Sequence, residues 1–312
     1  MVTRFTDLVG CELPVQLAGM GGGGSDVGLT SAVCNAGGFG TLGAGGLPAP
    51  VIEQMLDAMP QATAKPFGIN FLMPLLDRDA VAAAVRRSHV VEFFYGDPDA
   101  ALVDIVHSGD ALAAWQVGSA PEARAAVDAG CDFVIAQGTE AGGHVRGSKP
   151  LATVLREVLG VVGLPVVAAG GIGTAKQVKA ALNAGAAGVR IGTRFLAATE
   201  SVAHPDWVAA LIAATADDTE ITEAFGNGWP NAPHRVLKSS IAAAQAVGDE
   251  IVGTVSMGPM EIPVARFSPM APHKETTGNI AAMCMYAGTS VDGVTKVQPA
   301  AEIVAELCSE LS

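Results

Sequence analysis

Three stretches of the chain repeat one sentence in nearly the same letters: Ala36–Ala44 (AGGFGTLGA), Ala129–Gly138 (AGCDFVIAQG) and Ala184–Thr193 (AGAAGVRIGT). In each, an Ala-rich run with helical spacing closes on Ala-Gly, and an apolar strand begins one to three residues later. Glycine there ends a helix and turns the chain sharply into a strand. Working outward, the same alternation of short apolar strand, Gly or polar turn and amphipathic helix runs from Pro14 to Phe195. Eight strands are predicted: Val15–Ala18, Phe39–Gly43, Phe67–Phe71, Val90–Tyr95, Ala113–Val117, Phe133–Gln137, Pro165–Ala169 and Gly188–Ile191. Helical segments are predicted between them, among others at 26–38, 48–59, 77–89, 121–130, 151–160 and 174–186. Strands that are apolar almost throughout belong to a parallel sheet covered by helices. Eight such units favour closure, which makes the chain an α/β protein, a (β/α)8 TIM barrel, with its functional residues just after the strands, at their C-terminal ends.

The periodicity breaks after Phe195. From His204 to about Lys274 come helix-like pieces (DWVAALIAA, SSIAAAQAV) and a Gly/Pro/Asn-rich loop, AFGNGWPNAPHR. The expected organisation is a barrel of residues 1–203 and 275–312, with 204–274 as a smaller helical lobe on the substrate side. The final amphipathic run, AAEIVAELCSEL, is expected to pack back on the barrel.

Composition narrows the function classes. The 312 residues are 50% hydrophobic and 16% charged, enough to bury a large interior. No apolar run approaches the roughly 20 residues that span a bilayer, and the N-terminus lacks a cleavable leader pattern; a cytoplasmic protein without a membrane partner is expected. A net charge of −13 with scattered Lys and Arg excludes a phosphate-backbone footprint, so no nucleic acid is expected. The five cysteines lack C-x-x-C spacing, and His89, His107, His204, His234 and His273 lack any mutual ligand spacing, so neither a disulfide framework nor a metal site is expected.

Three segments carry the candidate chemistry. AAGGIGT (168–174) and RIGTRF (190–195) end the seventh and eighth strands, where barrels commonly hold a phosphate on backbone N–H groups. Gly170, Gly171 and Gly173 permit close approach there; Gly192 and Thr193 offer a second set of donors. AQGTEAGGHVRG (136–147) leaves the sixth strand: Gln137 points its amide into the mouth, Gly142 and Gly143 let the backbone pass close to a flat ring, and His144 lands on the working face. A histidine's pKa near 6.5 suits proton abstraction, whereas Glu140 is read as stabilising the loop. Asn70, after the third strand, is a polar group among apolar ones that needs a partner, here a ligand. The run Gly21–Gly24 is read as letting Ala18, Gly19 and Met20 lie against a cofactor ring.

Taken in order, PVQLAGM (14–20), AVCNAGGFGTLG (32–43), GINF (68–71), QGTEAGGH (137–144), PVVAAGGIGTAKQV (165–178), GVRIGTRFLAATES (188–201) and AHPDW (203–207) resemble the nitronate monooxygenase family, once called 2-nitropropane dioxygenases; Tyr286-Ala-Gly resembles a late motif of the same family. The resemblance implies FMN across the barrel mouth, its phosphate at the seventh and eighth strand ends. The implied contacts are Ala18, Gly19, Met20, Asn70, Gln137, Gly142, Gly171, Arg190, Ile191, Gly192 and Thr193. Gly143 and Gly170 join them from the reading of the loops. Where the family often has a Lys on the fifth strand, this chain has Gln116. The implied reaction is oxidation of an alkyl nitronate, or similar small anion, by dioxygen to a carbonyl compound and nitrite. In it His144 serves as base toward a nitroalkane or binds the nitronate oxygens, and Met20, Phe71, Met73 and Trp229 shape the pocket. A homodimer is compatible with this reading. The segments GGH, AAGGI and GTRF equally resemble FMN-dependent enoyl-acyl carrier protein reductases, and relatives acting on quinones add a nicotinamide–quinone reductase as a further enzyme reading. A flavin-binding protein without turnover is the reading from outside enzymology.

Overall fold

The computed structural model describes residues 1–21, 24–45, 47–257 and 260–311. Its strands are β1 (Val15–Leu17), β2 (Gly40–Gly43), β3 (Phe67–Leu72), β4 (Val90–Phe94), β5 (Leu112–Val117), β6 (Phe133–Gln137), β7 (Gly143–His144), β8 (Val166–Ala169), β9 (Gly188–Ile191), β10 (Thr219–Thr222), β11 (His234–Leu237), β12 (Ile251–Met257), β13 (Met260–Ala265) and β14 (Thr276–Gly278). Eight of them form one parallel sheet in the order β1-β9-β8-β6-β5-β4-β3-β2, and a parallel bridge from Gln16 to Phe39 joins its two edges. The eight predicted strands are all present to within a residue or two at each end, and helices lie between them, as a (β/α)8 barrel requires.

Alternation along the strands separates two cores. Val15, Leu17, Ile69, Phe71, Val91, Phe93, Trp115, Val134, Ala168, Val189 and Ile191 pack against the helices. Their neighbours Phe39, Val90, Ala114, Phe133, Ile135, Val167 and Ala169 fill the barrel's inside. The lower end is plugged by the helix Arg4–Val9, which Thr3 caps. Phe5 enters from this helix and meets Phe39 and Phe133 edge-on at centroid distances of 6.0 and 5.6 Å. Burying such a ring contributes about 2–3 kcal/mol, so the floor of the barrel is closed by hydrophobic packing. The helix Ala300–Cys308 docks against helices Val27–Asn35 and Ala175–Asn183. Arg194 fastens it, donating to Glu306 Oε2 at 2.7 Å and to Gln298 Oε1 at 3.2 Å.

The segment after Phe195 holds the expected helices, Pro205–Ala213 and Lys238–Ala246, around a core of its own that includes Trp207, Leu211, Phe225, Val236 and Met285. It also contains strands that its sequence did not announce. β12 pairs antiparallel with β13 and β14, and β11 pairs antiparallel with β10 on one side and β7 on the other. The second pairing matters most: β7 belongs to the loop leaving β6, so this ribbon stitches the segment to the barrel mouth. Among the described residues no helix is long and apolar enough to cross a membrane.

Candidate active site

The loops after β6, β8 and β9 meet at one rim. Gly170 and Gly171 have φ of +116° and +70°, backbone that side chains rarely adopt. A Cβ on Gly171 would lie 2.9 Å from both Glu140 Cβ and Thr289 Oγ1, and one on Gly142 would lie 2.5 Å from Gly288 N. Thr193 Oγ1 accepts a hydrogen bond from Gly288 N at 3.0 Å, which ties the third loop to the same place. Among the described residues the amides of Gly170, Gly171 and Gly192 donate to no partner. These are the groups a bound phosphate would satisfy. Gly173 allows a close approach of Ser290, whose backbone oxygen an added Cβ would meet at 2.7 Å; its N–H and that of Thr174 both donate to Gln177 Oε1, at 2.9 and 3.1 Å, so the helix that follows is capped from within. Glu140 holds the loop as expected, accepting from Leu151 N at 2.9 Å.

The β1 side of the rim completes the circle. Gly192 lies against Ala18 and Met20, and Gly19 packs so closely on Asn70 that an added Cβ would fall 2.3 Å from Asn70 Cβ. The structure therefore brings Ala18, Gly19, Met20, Asn70, Gly192 and Thr193 together. Ile191 is the exception: its side chain faces the helices, and only its carbonyl, accepting from Ala18 N at 2.9 Å, reaches the rim. Phe71 likewise faces the helices, stacked on Phe93 outside the barrel. The reading of Gly21–Gly24 falls in part on residues 22 and 23, which lie outside the described residues.

Just inside the rim lies a cluster that sequence reading missed apart from Arg190. Arg190 Nη2 approaches Glu92 Oε1 at 2.5 Å, both side chains almost wholly buried; the contact is one of charge rather than of hydrogen-bond geometry. Gln16 Nε2 donates to Glu92 Oε2 at 3.0 Å and lies 3.3 Å from Thr41 Oγ1. Arg190 Nη1 is buried without a partner. Glu92 and Arg190 are the only charged residues in the eight barrel strands, a pattern visible in the letters alone.

Above the rim, His144 is held by its backbone and caged by rings. Gln137 Nε2 donates to His144 O at 3.0 Å, leaving Gln137 Oε1 buried and free. On its other side His144 pairs with His234 across β7 and β11. Trp229, from the Gly/Pro/Asn-rich loop, stacks on the imidazole at 3.9 Å and 20°; Tyr95 meets it edge-on at 5.6 Å, and His234 and Tyr286 lie at 5.2 and 5.8 Å. His234 is locked as a neutral ring, its Nδ1 on Ala232 O at 2.9 Å and its Nε2 accepting from Phe225 N at 3.3 Å. His144 Nε2 is buried with no partner. Burial, helped by the neighbouring His234, pushes the His144 pKa down to about 3, so the ring is neutral at pH 7. Tyr95 sits at φ 64°, a strained conformation for a bulky residue and one common beside functional sites. No group of metal-binding side chains occurs among the described residues.

The sequence profile described as Nitronate monooxygenase matches residues 2–87 and 78–310. A Mycobacterium tuberculosis protein, (3aS,4S,5R,7aS)-5-hydroxy-7a-methyl-1-oxo-octahydro-1H-indene-4-carboxyl-CoA dehydrogenase, is 34% identical over 255 residues, which is 80% of this chain and 70% of that one. A probable nitronate monooxygenase of Staphylococcus aureus is 30% identical over 269 residues, 71% of this chain and 75% of its own. Among solved structures, FabK from Thermotoga maritima superposes with a TM-score of 0.85 at 29% identity, over 99% of this chain and 96% of that one. Nitroalkane oxidase from Streptomyces ansochromogenes gives a TM-score of 0.78 at 29% identity, over 99% and 98%.

Proposed function

Since the chain belongs to the nitronate monooxygenase family of barrel flavoenzymes, we propose that it is an FMN-dependent oxidoreductase acting on an enoyl-type acyl thioester, in preference to a nitronate. Three features fit FMN. The partnerless amides of Gly170, Gly171 and Gly192, with Thr193, suit its phosphate. The close-packed backbone of Ala18, Gly19 and Met20 beside Asn70 suits a flat ring. Gln137 Oε1 and Arg190 Nη1 are buried polar atoms that a heterocycle would satisfy. Gly142, Gly143 and the backbone of Ile191 complete the rim. Bound there, FMN would supply the hydride chemistry that side chains lack.

The observation that carries the substrate class is His144. A ring whose pKa is pushed down to about 3 is a poor base, because proton abstraction is most efficient when the base's pKa lies near the working pH. It can instead hydrogen-bond as a neutral imidazole and polarise a carbonyl. The groups packed on it, Tyr95, Trp229, His234 and Tyr286, are rings that offer hydrogen bonds and apolar faces. Gln137 fixes the His144 backbone, and Trp229 and Tyr95 pack against the imidazole. The Mycobacterium tuberculosis relative, by its name, acts on a CoA thioester, which supports an acyl-thioester substrate here. The free thiols fit a reducing, cytoplasmic setting.

Nitronate oxidation by dioxygen is the second reading, favoured by the family profile and by the nitroalkane oxidase superposition. An anaerobic absorbance titration separates the two. The thioester reading expects NADH or NADPH to bleach the bound flavin and crotonyl-CoA to restore it. A flavin inert to both nicotinamides but bleached by propionate 3-nitronate would install the nitronate reading. Recovery with a quinone alone would assign a quinone reductase, and a colourless protein that takes up no FMN would remove the flavin.

A further inference from the structure

The eight barrel strands contain one carboxylate and one guanidinium, and the fold places them on each other. Burying such a pair is costly: the desolvation penalty is several kcal/mol per ion, and apolar residues of similar volume are often as stable or more so. The lower half of the same interior is filled apolar, with Phe5, Phe39, Val90, Phe133 and Val167, so charge is not needed to fill the barrel. The pair lies in the layer next to the rim. Arg190 is in register with Ala169, the residue before Gly170, and with Gln16 on the other side, two residues before Ala18; Glu92 is in register with Asn70. Glu92 uses one oxygen on Arg190 and the other on Gln16, which Thr41 backs. Arg190 is thereby held by one amino group, while the second, Nη1, is buried with nothing to donate to.

We infer that Glu92 is a positioning residue for the flavin: it fixes Arg190 so that Nη1 serves the cofactor, and it cancels much of the guanidinium charge that a reduced flavin would otherwise feel. This rests on the FMN reading above. Reduction adds negative charge to the ring, so a free cation nearby would favour the reduced form and a neutralised one favours it less. Glu92 therefore keeps the bound flavin at a lower potential than Arg190 alone would set.

The experiment uses the full chain loaded with FMN and measures the two-electron potential by anaerobic dye equilibration, alongside FMN affinity by fluorescence quenching. Glu92→Gln keeps the shape and removes the charge. It is expected to favour the reduced flavin about tenfold over wild type, a rise of about 30 mV. Arg190→Gln is expected to move the potential in the opposite direction. Should Glu92→Gln fail to fold, Glu92→Asp, which draws the carboxylate back from Arg190, is expected to raise the potential by a smaller step. A merely structural pair would lower the melting temperature of these variants and leave the potential of the bound flavin where it was; that result overturns the inference while leaving FMN binding intact. A wild-type protein that binds no FMN would overturn the FMN reading first, and this inference with it.

Discussion

Two ionisable groups at the barrel mouth, Arg190 buried and His144 half-buried, are handled in opposite ways. Arg190 projects from β9 into the barrel and meets a carboxylate that Gln16 also holds. His144 stands on the two-residue strand β7, meets only rings, and loses its charge. The first solution depends on rigid strands, since two charges repay their desolvation only in good geometry. The second depends on a loop that another part of the chain must pin. The difference separates two tasks: inside the barrel a charge is kept and balanced, while outside it a polar ring is kept uncharged and available to hydrogen-bond.

The most severe way to break this comparison is Glu92→Ala, which strands Arg190 in the interior. It is expected to cost about 3–5 kcal/mol of unfolding free energy in denaturant melts. The double replacement Glu92→Leu with Arg190→Met should recover much of that loss, and failure to recover any would show that packing rather than charge holds the layer. Next in size is His144→Asn, expected to retain FMN and to lower turnover about 100-fold with the substrate that the titration identifies, the loss typical of one hydrogen-bond donor to developing charge. Equal turnover would remove the imidazole from the chemistry.

The pH dependence of stability sharpens the contrast further. Unfolded, His144 takes up a proton near pH 6.5; folded, it resists until about pH 3. Between those values the unfolded chain binds the extra proton, so the contribution is fully present above about pH 6.5 and is lost as pH falls toward 3. At pH 5 the loss should be about 2 kcal/mol in wild type and smaller in His144→Asn, as read from denaturation midpoints at the two pH values. The smallest effect is expected at Trp229→Ala. Removing one face of the stack should raise KM roughly tenfold or less, about 1 kcal/mol, and lift the His144 pKa as water returns, visible in the imidazole NMR titration.

Most of the barrel was legible because its code is local. Strand, turn and helix repeat within 30 residues or so, and the Ala-Gly endings mark each return. The rim glycines were legible for the same reason: position after a strand is a local property. What the letters did not show is that Gln177, four residues on, takes the N–H of Gly173. The side chains of Ile191 and Phe71 face the helices because side-chain direction follows the two-residue alternation of the strand, which leaves Ile191 only its backbone to offer at the rim. Glu92 was missed although its signal was present: a lone carboxylate within a wholly apolar strand, VVEFF, demands a partner.

By itself the sequence determined the (β/α)8 architecture, the rim at the ends of the sixth, seventh and eighth barrel strands and the place of His144 in the loop after the sixth, because each rests on periodicity or on residues next to one another in the chain. Only the tertiary structure decided that Glu92 serves Arg190, 98 positions away, and that His144 is a neutral ring under Trp229. The reason is physical: charge state and hydrogen-bonding capacity are set by burial and by partners, and those come from segments that only folding brings together.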